Sequence, residues 1–253
     1  MKRLAGILLS IFAYVGTASG ADDGCLVAAH LVQADAALPR VAAAIKKKTL
    51  SVLVAGTTSS TLPGPNGPAS AYPTRFEAAL RKKLQGVDVK IISLAKPRQT
   101  AADMAAAFPK LLKEEKPALV VWQTGTADAM MGVATDVFQA TLEDGVGRIH
   151  DGGADIIFIN PQYSPRTDAV VATAPYADAM RWVAVGNAIN LFDRQGVMRQ
   201  WGELGTFDLL AATKSLDTAA KVHDCIGRLL ADLVLQGVAA AGDEAKDKTK
   251  TSQ

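Results

Sequence analysis

The strongest constraint on the fold is a series of short apolar segments that alternate with amphipathic ones from about residue 50 onward. The apolar segments are 50–55, 87–93, 118–123, 154–160 and 188–192. Short runs that are apolar throughout are typical of parallel strands covered on both faces by crossover helices. The sequence therefore predicts an α/β fold, in which a doubly wound parallel sheet of about five strands forms the centre of a three-layer α/β/α sandwich.

The segments between these strands carry apolar side chains at helical spacing. Phe76, Leu80 and Leu84 recur every four residues, which places them on one face of a helix. Thr100 followed by Asp103 resembles a capping box and predicts the start of another helix. The predicted helices are 72–84, a segment from 100 that ends before residue 117, 133–150, 175–187 and 216–238.

The first twenty residues have the parts of a secretory signal. Lys2 and Arg3 precede an apolar stretch over 4–15, and small residues follow as far as Gly20. This order predicts a signal peptide over 1–20 that is cleaved before Ala21, and hence a periplasmic or secreted protein. The apolar stretch is shorter than the ~20 residues of a spanning helix, so no stable membrane anchor is expected after cleavage.

The rest of the chain divides into three parts. We expect an N-terminal extension over 21–49, one domain over 50–240, and a disordered tail over 241–253, where the sequence becomes too polar to pack. Removing the predicted signal leaves 25 basic and 25 acidic residues. A neutral domain has no overall field that would attract a polyanion, so nucleic acid is not expected as a partner.

Two cysteines, Cys25 and Cys225, are the only ones in the chain. An exported protein with an even cysteine count favours one disulfide, and two buried free thiols are the alternative. No group of residues has the spacing of a metal site, and neither a metal nor another cofactor is expected.

Ligands of a doubly wound sheet bind beyond the carboxyl ends of the strands. This rule selects the loops 56–70, 123–132 and 161–173, together with the segment 194–216. The first loop contains consecutive hydroxyl residues from Thr57 to Thr61, which suits a nucleophile or an anion-binding turn. A polar turn with capping residues is the simpler alternative.

These loops, in this order, resemble the blocks of the SGNH/GDSL hydrolase family, and in particular a branch of secreted bacterial members. The resemblance extends from about Ser51 to Val238 and includes Gly125-Thr126-Ala127-Asp128 and the stretch Asn160-Pro161-Gln162. It implies a flavodoxin-like sandwich and a serine esterase or acyl hydrolase. In such an enzyme the first-block serine attacks, an Asp-x-x-His pair ahead of the last helix activates it, and a glycine and an asparagine bind the oxyanion.

Position by position, the resemblance assigns the nucleophile to Ser59 if the first block is matched from Thr61 backwards, or to Thr58 if it is matched from Gly56 forwards. Ser59 is the preferred reading. Four residues are the candidates for oxyanion or ligand binding: Thr58, Gly125, Thr126 and Asp128. Ala127 stands where the family has its asparagine, and no glycine lies near Pro97 in the second block.

The last block departs furthest from the family pattern. Lys214 stands at the position of the family aspartate and Asp217 at that of the histidine, while the nearest histidine is His223. The resemblance makes His223 a displaced candidate base, whereas a packed helix histidine is the simpler reading. Lys214 could instead serve as the base of a Ser-Lys pair.

Two functions follow from these residues. The first is a catalytically impaired protein that binds an acyl or glycan ligand at the former active site; the second is a serine esterase that uses Ser59 and His223. A structural protein of the envelope without a ligand is a third reading. Aromatic and amide side chains near the strand ends favour a ligand if they are accessible. They are Trp122, Gln123, Gln162, Tyr163 and Arg166.

Overall fold

The structure is a computed structural model that describes residues 24–210 and 216–251, with side chains described as far as residue 246 in the last segment. A five-stranded sheet in the order β2-β1-β3-β4-β5 forms its centre, and all neighbouring strands are parallel. The strands are β1 Thr49–Gly56, β2 Asp88–Ala95, β3 Leu119–Gln123, β4 Asp155–Ile159 and β5 Asn190–Phe192. The predicted sandwich, with its flavodoxin-like strand order, is confirmed.

Helices cover both faces of the sheet. They are α1 Pro39–Lys46, α2 Gly67–Ser70, α3 Tyr72–Lys83, α4 Ala101–Glu115, α5 Thr126–Met130, α6 Thr135–Asp151, α7 Pro165–Asp168, α8 Ala174–Gly186, α9 Arg194–Glu203 and α10 Leu216–Thr251. Val52 and Val54 of β1 pack with α1, α3 and α10, whereas Leu53 and Ala55 pack with α4 and α6. Because alternate residues of β1 enter opposite cores, its sequence from Val52 to Ala55 is entirely apolar.

Two local features follow directly from the sequence. Thr100 caps α4, because its Oγ1 accepts the Asp103 N–H while the Asp103 carboxylate accepts the Thr100 N–H at 3.0 Å. Gly145 lets α6 lie against the sheet, since a Cβ there would stand 2.3 Å from Cη2 of Trp122. The predicted capping box is therefore confirmed, and Gly145 is a position where only glycine fits.

The N-terminal extension is held to the domain at several points. Its α1 lies against the end of the sheet where β4 begins, with the Val41 N–H donated to the Asp155 carboxylate at 2.9 Å. Cys25 forms a disulfide with Cys225 of α10, across a Cα–Cα distance of 5.2 Å. The predicted bridge is therefore present, while the predicted signal peptide over 1–20 lies outside the described residues.

The last helix is longer than the sequence indicates. It continues to Thr251, through most of the segment 241–253 that we predicted to be a disordered tail. Length and composition alone would allow Leu216–Lys246 to cross a membrane. Within that span, however, Ile226, Leu230 and Val234 are fully buried against the rest of the domain. This apolar face accounts for the hydropathy of the helix.

Candidate active site

The candidate site lies where the connections from β1 and β3 leave the sheet in opposite directions. In the strand order 2-1-3-4-5 this switch point opens a crevice beyond the carboxyl ends of those two strands. A 3₁₀ turn over Thr58–Ser60 follows β1, and Gln123 is the last residue of β3. Gly56 allows the turn to fold back, because a Cβ there would lie 2.0 Å from the Oγ of Ser60.

The amide of Gln123 holds both serines of this turn. Ser60 Oγ donates to Gln123 Oε1 at 2.5 Å, and Gln123 Nε2 donates to Ser59 Oγ. Ser60 is buried and also lies 3.3 Å from the Tyr72 hydroxyl, whereas Ser59 is half-buried and Thr58 is exposed. Ser59 is therefore the hydroxyl of this turn that is both fixed in the crevice and partly open to solvent.

A buried arginine provides the positive charge of the site. Arg194 is only 1% exposed, and its Nη1 donates to the Ser59 carbonyl at 3.1 Å and lies 3.5 Å from Ser59 Oγ. Its Nη2 donates to Gln162 Oε1 at 3.3 Å, while its Nε has no hydrogen-bond partner. Burial lowers the pKa of Arg194 to about 10, so the side chain remains a cation at neutral pH.

Hydrogen bonds at the start of α9 fix the position of Arg194. Asp193 caps this helix by accepting the Gly196 N–H at 3.0 Å. Asn160, which follows β4, donates to Asp193 Oδ1 at 2.6 Å and accepts the Gln195 N–H at 2.8 Å. The two residues beside Arg194 are thus both tied to the end of β4, so the arginine belongs to the rigid edge of the sheet.

His223 lies buried on α10 and is 5% exposed. Its Nδ1 accepts the Tyr72 N–H at 2.9 Å, so the neutral ring carries its proton on Nε2. Burial, assisted by the Arg194 cation, lowers the pKa of His223 to about 3. Among the residues that the structure describes, the hydrogen-bond partners of Ser59 and Ser60 include no histidine.

The third block, residues 125–128, uses its polar groups for hydrogen bonds within its own loop and to the start of α4. Asp128 is buried and accepts the N–H groups of Ala101 at 3.0 Å and Gly125 at 3.2 Å, as well as the Thr124 hydroxyl at 3.2 Å. Burial raises the pKa of Asp128, opposed by these hydrogen bonds. The Gly125 N–H, predicted as an oxyanion donor, is therefore already donated within the loop. The Thr126 hydroxyl is buried and has no partner.

The other predicted residues lie apart from this cluster or form its rim. Asp217 is exposed in the first turn of α10, and Lys214 lies outside the described residues.

Trp122, predicted as a ligand contact, is a core residue, packed edge-on against Phe108 at 4.8 Å between ring centres. Three other side chains were predicted as ligand contacts. Gln162 and Tyr163 are half-buried, and Arg166 is exposed. Across the described ranges, no three histidine, cysteine, aspartate or glutamate side chains form a group suited to a metal ion.

Sequence reasoning selected the segments 56–70 and 194–216, which contain Ser60 and Arg194, without giving either residue a role, and it missed Tyr72. Arg194 carried a usable signal, because it stands two positions after the apolar run that ends at Phe192, and ligand-binding residues collect at the carboxyl ends of strands. The role of Tyr72 had no signal, since it depends on a backbone N–H that meets a histidine 151 residues away.

Comparison with known proteins agrees with this fold. Esterase TesA of Pseudomonas aeruginosa is 34% identical over 95 residues, which are 35% of this chain and 47% of that protein. The chain thus spans about half the length of this curated relative. The crystal structure of TesA superposes with a TM-score of 0.55 at 23% identity, covering 76% of this chain and 99% of the other. An acetylxylan esterase of Geobacillus stearothermophilus, Axe2, gives 0.57 at 16% identity, covering 75% and 94%.

A third structure, LAE5, an α/β hydrolase from the metagenome of Lake Arreo in Spain, gives a TM-score of 0.57 at 18% identity, covering 76% of this chain and 96% of the other. At these identities the structural similarity concerns the fold alone. The sequence evidence extends further, because residues 24–240 match the Non-GDSL lipase-like family. With the five-stranded sandwich and its switch-point serines, this match makes the chain a member of the Non-GDSL lipase-like family of SGNH/GDSL hydrolases.

Proposed function

We propose that this protein is a catalytically impaired SGNH/GDSL hydrolase that binds an acyl or glycan ligand at the former active site. The observation that carries the proposal is the surroundings of the Ser59 hydroxyl. Its oxygen accepts from the Gln123 amide and lies beside the Arg194 guanidinium, both of which are donors. Nucleophilic attack needs an acceptor for the serine proton, and no described side chain offers one at Ser59.

His223 does not supply that acceptor in this arrangement. Its Nδ1 is occupied by the Tyr72 N–H, and the other nitrogen of the neutral ring carries the proton. A general base also becomes positively charged when it takes up a proton, and it works best with a pKa near the operating pH. Burial and the neighbouring Arg194 cation instead hold the pKa of His223 at about 3.

The oxyanion groups of the family are also altered. Ala127 replaces the expected asparagine donor, and the Gly125 N–H is donated to Asp128. Loss of a single oxyanion donor typically lowers kcat by ~10²–10³. Combined with the loss of a base, this change supports binding rather than turnover.

An apolar groove supports an acyl group as part of the ligand. It has a volume of about 440 Å³ and lies between α5, α6 and α8, beyond the carboxyl ends of β3 and β4. Met130, Val133, Val170 and Tyr176 are among its lining residues. Pockets for small ligands combine such an apolar lining with a few fixed polar groups. We propose the half-buried Ser59, which is not itself among the residues lining the groove, as the polar group for this ligand.

A serine esterase is the second candidate function. It is favoured by the 34% identity to Esterase TesA over 95 residues and by the position of Ser59 at the switch point. In this reading Ser59 is the nucleophile and His223 moves within reach of it during the reaction.

Hydrolysis of short-chain nitrophenyl esters distinguishes the two candidates. We expect the protein to hydrolyse them no faster than its Ser59→Ala and His223→Asn variants, because neither residue then takes part in catalysis. Initial rates at pH 7.5 are compared at equal protein concentration, with Thr58→Ala as the control for the alternative register. A rate that falls at least about a hundredfold in both variants would establish the esterase and refute the binding proposal.

We also propose that the protein is exported to the periplasm or secreted. The Cys25–Cys225 bridge supports this proposal, because structural disulfides persist in oxidising compartments. The signal-like residues 1–20 support it independently.

A further inference from the structure

Arg194 is a buried cation without a carboxylate partner. Among the described residues, no aspartate or glutamate oxygen lies within 4.0 Å of its guanidinium, although the side chain is 1% exposed. Its hydrogen-bond acceptors are all neutral oxygens, from Ser59 and Gln162. Proteins rarely bury an unpaired charge, because its desolvation is not repaid by neutral partners alone. The guanidinium carbon also lies 5.8 Å from the centre of the Tyr72 ring, a cation–π contact that supplies no net negative charge. The site therefore favours an anion that the described residues do not provide.

The contacts of Arg194 also indicate where such an anion fits. The bond from Nη2 to Gln162 Oε1 is long, at 3.3 Å, and Gln162 is a half-buried residue of the loop after β4. The Ser59 hydroxyl accepts from Gln123, which leaves its own proton free to be donated. The Arg194 guanidinium and the Ser59 hydroxyl are thus neighbouring donors, next to a neutral amide oxygen that a stronger acceptor could replace.

We propose that Arg194 is a specificity-determining residue that binds the carboxylate of a free carboxylic acid, which displaces Gln162 Oε1 and accepts from Nη2 of Arg194 and from the Ser59 hydroxyl. The inference rests on the proposed binding function and names its ligand class: the acid rather than an ester. A carboxylate is planar, like the amide that it replaces, and an ionised acceptor makes the stronger hydrogen bond to a guanidinium N–H. An uncharged ester would leave the cation unpaired.

Calorimetric titration with octanoate and its uncharged analogue octanamide tests the inference. At pH 7.5 and constant ionic strength, we expect octanoate to bind at least about tenfold more tightly, since hydrogen bonds to charged partners are the stronger ones. Arg194→Met should remove this preference. Equal affinities for the two probes, or a preference that survives in a folded Arg194→Met protein, would overturn the inference.

A second variant tests the same point without removing the arginine. Gln162→Glu places a carboxylate beside Nη2, so it should raise the thermal midpoint and lower octanoate affinity at least about tenfold. Gln162→Ala is the matched control and should retain the preference for octanoate. A Gln162→Glu protein that is less stable than the wild type, or that binds octanoate equally well, would contradict the inference.

Failure of the carboxylate assignment and failure of the proposed binding function give different experimental results. Ester hydrolysis that depends on Ser59 would refute the binding role whatever the affinity for octanoate. Equal binding of octanoate and octanamide without such hydrolysis would refute only the carboxylate assignment.

Discussion

Acidification from pH 7 to pH 3 is expected to remove on the order of 4 kcal/mol of folding free energy through His223 alone. The pKa of His223 is about 3 in the folded protein, against an ordinary value of 6.5. A group whose folded pKa is depressed contributes stability that is present above its unfolded pKa and is lost as the pH falls through the folded value. The loss should therefore begin near pH 6.5 and continue down to about pH 3.

Urea unfolding at several pH values between 7.5 and 3 measures this effect. His223→Asn can retain an acceptor for the Tyr72 N–H but does not titrate, so its free energy of unfolding should fall several kcal/mol less over the same range. His150→Asn is the control, because His150 is exposed on α6, and it should follow the wild type. Identical acid dependence of the wild type and His223→Asn would show that His223 does not titrate as a buried neutral ring.

Loss of the Cys25–Cys225 bridge is expected to lower the free energy of unfolding by about 4–5 kcal/mol in the chain-entropy account. The two cysteines are 200 residues apart, so the bridge closes a loop that includes nearly the whole domain. Its removal also releases the segment that contains Cys25 from α10. The large loop makes the effect large, because the entropy of the unfolded chain grows with loop length.

The Cys25→Ser/Cys225→Ser double variant and the reduced wild type should both show this loss in urea unfolding at pH 7.5. The reducing agent should leave the double variant unchanged, which controls for its other effects. A bridge-free protein with the stability of the oxidised wild type would contradict the account and would indicate that the native contacts of the segment compensate for the crosslink.

The sheet was predictable because its central strands β1, β3 and β4 are buried on both faces over most of their length and are therefore largely apolar. The long helices were predictable from their spacing and, at Thr100, from a capping box. The helices that sequence reasoning missed, α1, α2, α5, α7 and α9, are four to ten residues long. Helices this short offer too few turns for a clear periodicity, and they are stabilised by tertiary contacts.

The place of the site followed from strand order, whereas its chemistry did not. The switch-point rule selected the loops that contain Ser59 and Gln123. The hydrogen bonds between them depend on a turn in which Gly56 accommodates Ser60. Arg194 reaches Ser59 from 135 residues away, a contact that no local pattern encodes. His223 stands on the apolar face of α10, as its helical position indicated, and its tautomer depends on Tyr72.

The most direct test of the central claim, that Ser59 lacks a base, is its reaction with a fluorophosphonate. Such reagents phosphonylate a serine hydroxyl that has been activated as a nucleophile, whichever ester the enzyme prefers. Intact mass and peptide mapping after incubation at pH 7.5, beside a competent serine hydrolase as the positive control, report the adduct. We predict no mass increase on this protein. An adduct on Ser59 that is absent in Ser59→Ala would contradict the account.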